Sequence, residues 1–153
     1  MTKENFWLMK SEPQAYSIDN LRKDRVTLWD GIRNYQARNF MRRMAIGDKV
    51  FFYHSNCKPP GIAGFMEVID LNIVDPTQFQ KESVYYDPKS SHENPRWDCV
   101  KVKYVFKANK FLSLPELKIL FKEDELLLVK KGNRLSIIPV KIEIASTILE
   151  KIK

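Results

Sequence analysis

The pattern of apolar and polar residues predicts a single folded unit in which short strands and helices follow one another. Residues 6–9 form an aromatic and aliphatic run, and residues 50–55 are apolar at successive positions, which is typical of a strand buried on both faces. Residues 62–69 predict a third strand, in which Gly64 indicates either a bulge or a place where backbone or a ligand approaches closely. Alternating apolar positions at residues 100–106 predict a fourth strand.

Helices are indicated where apolar residues recur three and four positions apart behind a capping side chain. Asn34 is a favourable N-cap, and the stripe that follows it is Ala37, Phe40, Met41 and Met44. Ser17 and Ser113 predict the starts of two shorter helices, and residues 142–152 predict a closing helix. Residues 85–95, with two prolines and several serine and asparagine residues, predict a long functional loop.

The order of these elements predicts an α+β fold. With a last extended piece at residues 133–139, the arrangement that fits is a mixed, mostly antiparallel β-barrel with peripheral helices. A chain of 153 residues is long enough to bury a core without disulfides or metals. Because it shows no repeats or linkers, we expect one domain spanning residues 1–153.

Charge and cysteine content narrow the partners and the compartment. The chain has 26 Lys and Arg residues against 19 Asp and Glu residues, a net charge of +7, which favours a polyanion such as nucleic acid. The lysines are scattered, so ordinary solvating charge is an alternative explanation. Two cysteines and no long apolar run predict no membrane partner and a cytoplasmic location, or a nuclear one in a eukaryotic cell.

Catalytic and metal motifs are missing from the sequence. Among the potential metal ligands, His54 and Cys57 form one short pair, but His92 and Cys99 are seven positions apart, unlike the second pair of a structural zinc site. The sequence has no nucleophile elbow, phosphate-binding glycine loop or zinc-protease motif. We therefore expect no metal, no cofactor and no catalysis.

Three clusters of polar and aromatic residues are candidates for ligand binding. One helix face carries Tyr35, Arg38, Asn39 and Arg42, a set suited to phosphates and base stacking. Residues 53–56 place donors and acceptors at the end of a strand, and residues 85–97 hold aromatic and small polar side chains. Each cluster has a purely structural alternative, namely a solvated helix face, a capped strand end and a self-packed loop.

Several blocks of sequence resemble the signatures of the EVE family. These blocks are residues 7–13 (WLMKSEP), 29–39 (WDGIRNYQARN) and 52–56 (FYHSN), and later blocks follow at residues 85–90, 95–97 and 134–140. The resemblance therefore covers nearly the whole chain. It implies a PUA-like barrel, similar to domains that read modified bases in RNA and DNA without acting as enzymes.

The resemblance also implies a pocket where the blocks converge. Its walls are expected to be Lys10 and Ser11; Trp29, Asn34 and Tyr35; and Tyr53, His54, Ser55 and Asn56, with Trp97 closing it. By residue type, tryptophan stacks on a base, and serine and asparagine bond the base edge. The expected phosphate-binding residues are Arg33, Arg38 and Arg42.

The resulting hypothesis is a monomeric, non-enzymatic module that binds DNA or RNA and recognises a modified base in an aromatic-lined pocket. One alternative is a hydrolase of nucleotides or nucleic acid that uses Glu12 or Asp87 with His54. The other alternative is a protein-interaction module. Salt separates the hypothesis from this last alternative, because phosphate contacts weaken steeply as salt rises.

Overall fold

The computed structural model describes residues 5–153, which form a mixed six-stranded sheet with helices packed on both faces. Residues 1–4 of the expected domain lie outside the described residues. The strands are β1 (Phe6–Ser11), β2 (Val26–Leu28), β3 (Lys49–His54), β4 (Gly61–Val74), β5 (Asp98–Ser113) and β6 (Ile137–Val140). The helices are α1 (Ile18–Asp24), α2 (Tyr35–Arg42), α3 (Leu114–Leu120) and α4 (Ile142–Ile152). Short 3₁₀ turns cover Pro76–Phe79 and Leu127–Val129.

The strands are arranged in the order β2-β5-β4-β3-β1-β6. Only β1 and β3 run parallel among the described pairs, and residues 12–48, which carry α1, β2 and α2, cross over between them. The expected α+β fold with a mixed, mostly antiparallel sheet and peripheral helices is therefore confirmed. Within residues 5–153 no ladder joins β2 to β6, so the sheet is open and its closure into a barrel is not shown.

Alternation along the central strands builds a core on each face of the sheet. Trp7 and Met9 of β1 belong to one apolar cluster, which α1 and α2 cover, whereas Leu8 belongs to the other, which α3 and α4 cover. In β3, Phe52 packs in the first cluster and Phe51 in the second. This double burial explains why residues 50–55 are apolar at successive positions.

Side-chain caps start the helices where local sequence rules predict. The Ser17 hydroxyl accepts from the Asn20 backbone N–H at 3.1 Å, and the Asn20 side chain accepts from the Ser17 backbone N–H, so the two residues form a capping box. Asn34 Oδ1 accepts from the Ala37 backbone N–H at 2.9 Å and starts α2. Ser113 caps α3 in the same way. No helix among residues 5–153 has the length and apolar character needed to cross a membrane.

The long hairpin of β4 and β5 extends well beyond the residues predicted for either strand. Its ladder shifts register between Ile62 and Gly64, as a bulge requires. A Cβ atom at Gly64 would lie 2.5 Å from Ile18 Cδ1 and 2.8 Å from the Phe106 carbonyl oxygen. The bulge predicted at Gly64 is thus confirmed, and the Phe106 backbone also approaches this residue closely.

Candidate functional site

A cleft of about 1080 Å³ opens at the carboxyl ends of the parallel strands β1 and β3. Because parallel strands end at the same edge of a sheet, their last residues and the turns after them form one continuous wall. The opposite wall is formed by the end of β2 and by residues 29–33 after it, and residues just before β6 complete the lining. We call this cavity the cleft.

The strand-end wall consists of Lys10, Ser11, Ser55 and Asn56. The Ser55 backbone N–H donates to the Ser11 carbonyl oxygen at 3.0 Å, which extends the β1–β3 pairing into the wall. Ser11 Oγ donates to the Tyr16 carbonyl oxygen at 2.6 Å, and Asn56 Nδ2 donates to a Glu12 carboxylate oxygen at 3.3 Å. Burial lowers the pKa of the Lys10 ammonium group, so its positive charge is poorly solvated without a partner.

The facing wall is built on Trp29, which is 6% exposed and packs edge-on against Phe52 with ring centroids 5.3 Å apart. Its backbone N–H donates to the Val100 carbonyl oxygen at 2.8 Å, so the indole is fixed to β5. Gly31 follows with φ of 82°, and a Cβ atom there would lie 2.8 Å from the Tyr85 ring. Glycine is therefore needed for both the backbone angle and the space.

The third side of the cleft comes from the chain before β6. Arg134 and Ser136 line it, and the Lys10 backbone N–H donates to the Ser136 carbonyl oxygen at 2.9 Å. Tyr16 lines the cleft as well, and its hydroxyl donates to an Asp24 carboxylate oxygen at 2.9 Å. Burial, and then the hydrogen bond with Asp24, raises the pKa of Tyr16 to about 12, so this hydroxyl is neutral at physiological pH.

Several polar side chains in the cleft have no partner among residues 5–153. They make no hydrogen bond or ion pair with another residue of this range, and they are Lys10, Asp30, Ser55, Arg134 and Ser136. No side-chain nitrogen or oxygen in this range is both buried and unbonded, so these groups are open to solvent. The cleft thus offers two cations, one carboxylate and two hydroxyls to a ligand.

A second polar assembly lies beside the cleft and has its donors and acceptors engaged. We call it the Asp75 cluster: Gly31, Arg33, Asp75, Thr77 and Tyr85. The fully buried Asp75 carboxylate accepts from the Gly31 N–H at 2.8 Å, from Arg33 Nη1 at 3.0 Å and from the Thr77 N–H at 2.8 Å. Arg33 also donates to the Tyr85 carbonyl oxygen at 2.9 Å and to Thr77 Oγ1 at 3.0 Å.

Electrostatics keep the Asp75 carboxylate ionised. Burial by itself raises the pKa of this group, but the hydrogen bonds from Thr77, Arg33 and Gly31 and the Arg33 charge outweigh it. The net result is a pKa below the ordinary value of 3.8. The Asp75 cluster therefore holds the loop that carries Trp29 against the loop that carries Tyr85.

Arginine and aromatic groups form a layered stack on the outer side of α2. Tyr35 and Trp97 stack with ring centroids 4.8 Å apart and an interplanar angle of 18°. The Arg38 guanidinium lies 4.6 Å from the Tyr35 ring centroid, and Arg38 Nη1 donates to the Arg96 carbonyl oxygen at 2.9 Å. The Trp97 indole N–H donates to Asp87 at 2.8 Å. These contacts bind α2 to the start of β5.

The structure brings some of the residues predicted for the pocket together and leaves others outside it. Those that line the cleft are Lys10, Ser11, Trp29, Arg33, Ser55 and Asn56. Those outside its lining are Asn34, Tyr35, Arg38, Arg42, Tyr53, His54 and Trp97. Each of the latter group has a contact elsewhere that explains its place.

The residues outside the lining serve the surrounding framework. Asn34 caps α2, and Arg42 pairs with Asp98 at 3.0 Å. Tyr53 is buried on one face of the sheet, whereas its neighbour Phe52 packs with Trp29 on the other face. Successive residues of a strand point to opposite faces. His54 Nε2 accepts from the Ile18 backbone N–H at 3.1 Å, which ties β3 to the first turn of α1. Burial is the main cause that lowers the pKa of His54.

Some of the polar and aromatic residues that line the cleft were not among the predicted site residues, and these include Tyr16, Asp30, Tyr85, Arg134 and Ser136. Asp30, Tyr85, Arg134 and Ser136 fall inside the sequence blocks that resemble the EVE family, and this was a usable signal. Tyr16 lies between Pro13 and α1, where no pattern in the sequence singles it out.

The groups named for acid–base catalysis or metal binding are dispersed. Glu12 accepts from Asn56 and Asp87 accepts from the Trp97 indole, while the acceptor nitrogen of His54 is occupied. Within residues 5–153 there is no group of three or more histidine, cysteine, aspartate and glutamate side chains placed to hold a metal ion.

The fold and the cleft together define a small α+β ligand-binding domain with a polar and aromatic site at the ends of two parallel strands. The chain belongs to the EVE domain family, whose model matches residues 5–151. It is 48% identical to human thymocyte nuclear protein 1 over 73% of this chain and 55% of that protein. It is 38% identical to an uncharacterised Schizosaccharomyces pombe protein over 92% of this chain and 65% of that protein. The chain thus spans about half the length of the thymocyte nuclear protein 1 relatives.

Solved structures match over nearly the full chain. A Pseudomonas syringae protein superimposes with a TM-score of 0.91 and 44% identity, covering 95% of this chain and 97% of that one. Human THYN1 protein in complex with 5-methylcytosine-containing DNA gives a TM-score of 0.89 and 40% identity, covering 96% of each chain. A YTH domain in complex with m6A matches at a TM-score of 0.55 and 17% identity, which shows a shared fold alone.

Proposed function

We propose that this chain is a nucleic-acid-binding module that takes one modified base into the cleft. The observation that carries the proposal is the set of unpartnered polar side chains arranged around Trp29 in a cavity of about 1080 Å³. A base needs an aromatic or apolar surface for its face and hydrogen-bonding groups for its edge. The human THYN1 protein, which shares 40% identity and the same fold, was solved with DNA that contains 5-methylcytosine.

Each wall of the cleft has a part in this proposal. Trp29 supplies the surface on which the base stacks, an interaction of about 1 to 3 kcal/mol. Ser55 and Ser136 reach the base edge, and Lys10 and Arg134 attract the phosphates beside it. The donors and acceptors of the ligand then form hydrogen bonds with the unpartnered polar groups of the cleft.

The expected phosphate contacts of the three arginines divide by position. Arg33 is held by the Asp75 cluster, which supports a role in shaping the cleft more than a direct phosphate contact. Arg38 and Arg42 lie on α2, outside the cleft. From there they can contact only those phosphates of the nucleic acid that lie beyond the bound base. Their phosphate contacts stay a prediction, to be checked by charge removal at each site.

The module is proposed to bind without catalysis. The acid and base groups that the hydrolase alternative needs are each bonded to a different neighbour, and His54 lies outside the cleft lining. The open six-stranded sheet is proposed to be a variant of the PUA-like barrel. A binder of nucleic acid is expected in the cytoplasm, or in the nucleus of a eukaryotic cell.

The test is a titration of the purified protein with short DNA and RNA oligonucleotides that carry either an unmodified or a modified base, followed by tryptophan fluorescence. Trp29 lines the cleft, so a base stacked on it should quench emission. Trp29→Phe keeps an aromatic ring while removing this signal. Binding that depends on the modification supports the proposal. Binding that ignores the base and vanishes with added salt reduces it to a basic surface.

A further inference from the structure

Asp30 is the carboxylate of the cleft that has no partner. It follows Trp29 directly and lies in the same wall, so its side chain is placed beside the aromatic surface. The other carboxylate of the lining, Glu12, already accepts from Asn56 at 3.3 Å. Within residues 5–153 no other residue donates a hydrogen bond to the Asp30 side chain. Its acceptor capacity is therefore open to a ligand.

The surroundings of Asp30 set the chemistry of that ligand. An ionised carboxylate accepts hydrogen bonds and donates none, so it favours an N–H group and repels a carbonyl oxygen. The hydroxyls assigned to the base edge, Ser55 and Ser136, can donate a hydrogen bond as well as accept one. A base that satisfies both kinds of group presents an amino group on one part of its edge and acceptors on another.

We propose that Asp30 selects bases that carry an exocyclic amino group, by accepting a hydrogen bond from that group when the base stacks on Trp29. The inference rests on the proposed function and names the substrate class of the same cleft. Cytosine has an N4 amino donor, whereas thymine has the O4 acceptor at the equivalent position. Asp30 therefore discriminates 5-methylcytosine from thymine, two bases that share the same 5-methyl group.

The electrostatic position of Asp30 agrees with this assignment. Partial burial first, and then the nearby negative charge of Asp75, raises the pKa of the Asp30 carboxyl, while the Arg33 charge opposes the change. A carboxylate that is short of solvent gains more from a hydrogen-bond donor than a fully hydrated one does. The amino group of a bound base supplies such a donor.

The test uses single-stranded DNA oligonucleotides of one sequence with 5-methylcytosine or thymine at the central position. The wild-type protein is expected to bind the 5-methylcytosine strand about tenfold more tightly, as one well-made base-edge contact provides. Asp30→Asn, which replaces one acceptor oxygen by a donor, is expected to reduce this preference to about twofold or to reverse it. Glu150→Gln, an exposed carboxylate on α4 far from the lining residues, is the matched control and keeps the wild-type preference.

A probe on the ligand side tests the same contact without any variant. An oligonucleotide with 5-methyl-2-pyrimidinone keeps the ring and the methyl group but has hydrogen in place of the amino group. The wild-type protein should bind it about tenfold more weakly than the 5-methylcytosine strand, and Asp30→Asn should bind the two about equally. Thermal unfolding of Asp30→Asn, expected to match the wild type, confirms that the variant is folded.

The outcomes separate this inference from the function on which it rests. A wild-type preference for 5-methylcytosine that survives in folded Asp30→Asn, or wild-type binding that ignores the missing amino group, overturns the role of Asp30 and leaves the base-binding function standing. Wild-type protein that binds every strand alike, or none, removes the base-binding function and this inference with it.

Discussion

The cleft and the Asp75 cluster share a wall but treat their polar groups in opposite ways. In the cleft, Lys10, Asp30 and Arg134 form no hydrogen bond or salt bridge with another residue of the range 5–153. In the Asp75 cluster, the Asp75 carboxylate is fully buried, and Arg33 donates hydrogen bonds from Nε, Nη1 and Nη2. Buried polar groups that have all their hydrogen bonds stabilise a fold, whereas solvent-exposed groups without a partner are available to a ligand. Substitutions in the two regions should therefore have different consequences.

The largest expected effect falls on the Asp75 cluster. Asp75→Ala removes the carboxylate and leaves the Arg33 guanidinium partly buried without its counter-charge, together with unbonded N–H groups of Gly31 and Thr77. The expected loss is about 3 to 5 kcal/mol in the free energy of unfolding, measured by urea denaturation. Asp70→Ala, an exposed carboxylate that accepts only from the Leu71 N–H, is the control. Equal stabilities of the two variants would erase the distinction between the regions.

The cleft should show the reverse behaviour. Arg134→Gln removes an unpartnered cation, so the free energy of unfolding should change by no more than about 0.5 kcal/mol. Affinity for the modified oligonucleotide should fall by about tenfold, as expected for a lost hydrogen bond to a charged group. Arg22→Gln on the exposed surface of α1 provides a charge-matched control for both measurements. A variant that loses stability and keeps affinity would place Arg134 with the framework.

A smaller effect is expected at Asn34. The sequence assigns this residue to the base edge, whereas the structure places it at the N-cap of α2. Asn34→Ala should destabilise the fold by about 1 kcal/mol, because the Ala37 N–H loses its acceptor. Asn34→Ser retains a capping oxygen and should lower the free energy of unfolding by only about a few tenths of a kcal/mol. Affinity measured well below the unfolding transition should be unchanged in both variants. A tenfold loss of affinity in Asn34→Ser would restore the sequence interpretation.

The smallest effect is the pH dependence that His54 contributes. The folded state lowers the pKa of His54 below the ordinary value of 6.5, chiefly through burial. The neutral ring accepts a hydrogen bond from the Ile18 N–H. A lowered pKa means that the unfolded chain takes up the proton first. The stabilising contribution is therefore complete above about pH 6.5 and is lost as the pH falls toward the folded-state pKa.

Urea denaturation at several pH values between about 7.5 and 5 measures this contribution. His54→Gln should show a shallower decline in stability over that range than the wild type does. His92→Gln, in which the substituted ring belongs to an exposed loop residue, should keep the wild-type slope. Identical slopes in all three proteins would show that the His54 contact with α1 has no role in the pH response.

Local rules explain why much of the fold was predictable from sequence. Ser17 and Asn34 cap helices through side-chain bonds to residues three positions later, so the pattern is contained in a few consecutive letters. The double burial of β3 also follows from its own composition. The three-residue strand β2 was missed, since it is held by β5 and has too few residues to show a period.

The parts of the site that escaped prediction depend on distant contacts. Arg33 looks like a phosphate ligand in sequence, but its partner Asp75 is 42 positions away and only the folded chain brings them together. Tyr53 shares a motif with Ser55, yet its side chain packs into the apolar cluster on the sheet face opposite to Trp29. Residue type indicates which groups can bind a ligand, and tertiary structure decides which of them are left free to do so.

The short strand β6 has a consequence for the order of events during protein synthesis. It pairs antiparallel with β1, and the residues just before it, Arg134 and Ser136, supply one side of the cleft. The first and last contributors to the cavity are thus separated by most of the chain. A ribosome-bound nascent polypeptide that has folded only its earlier segments therefore has an incomplete cavity. The cavity is complete only after β6 has been synthesised and has docked on β1.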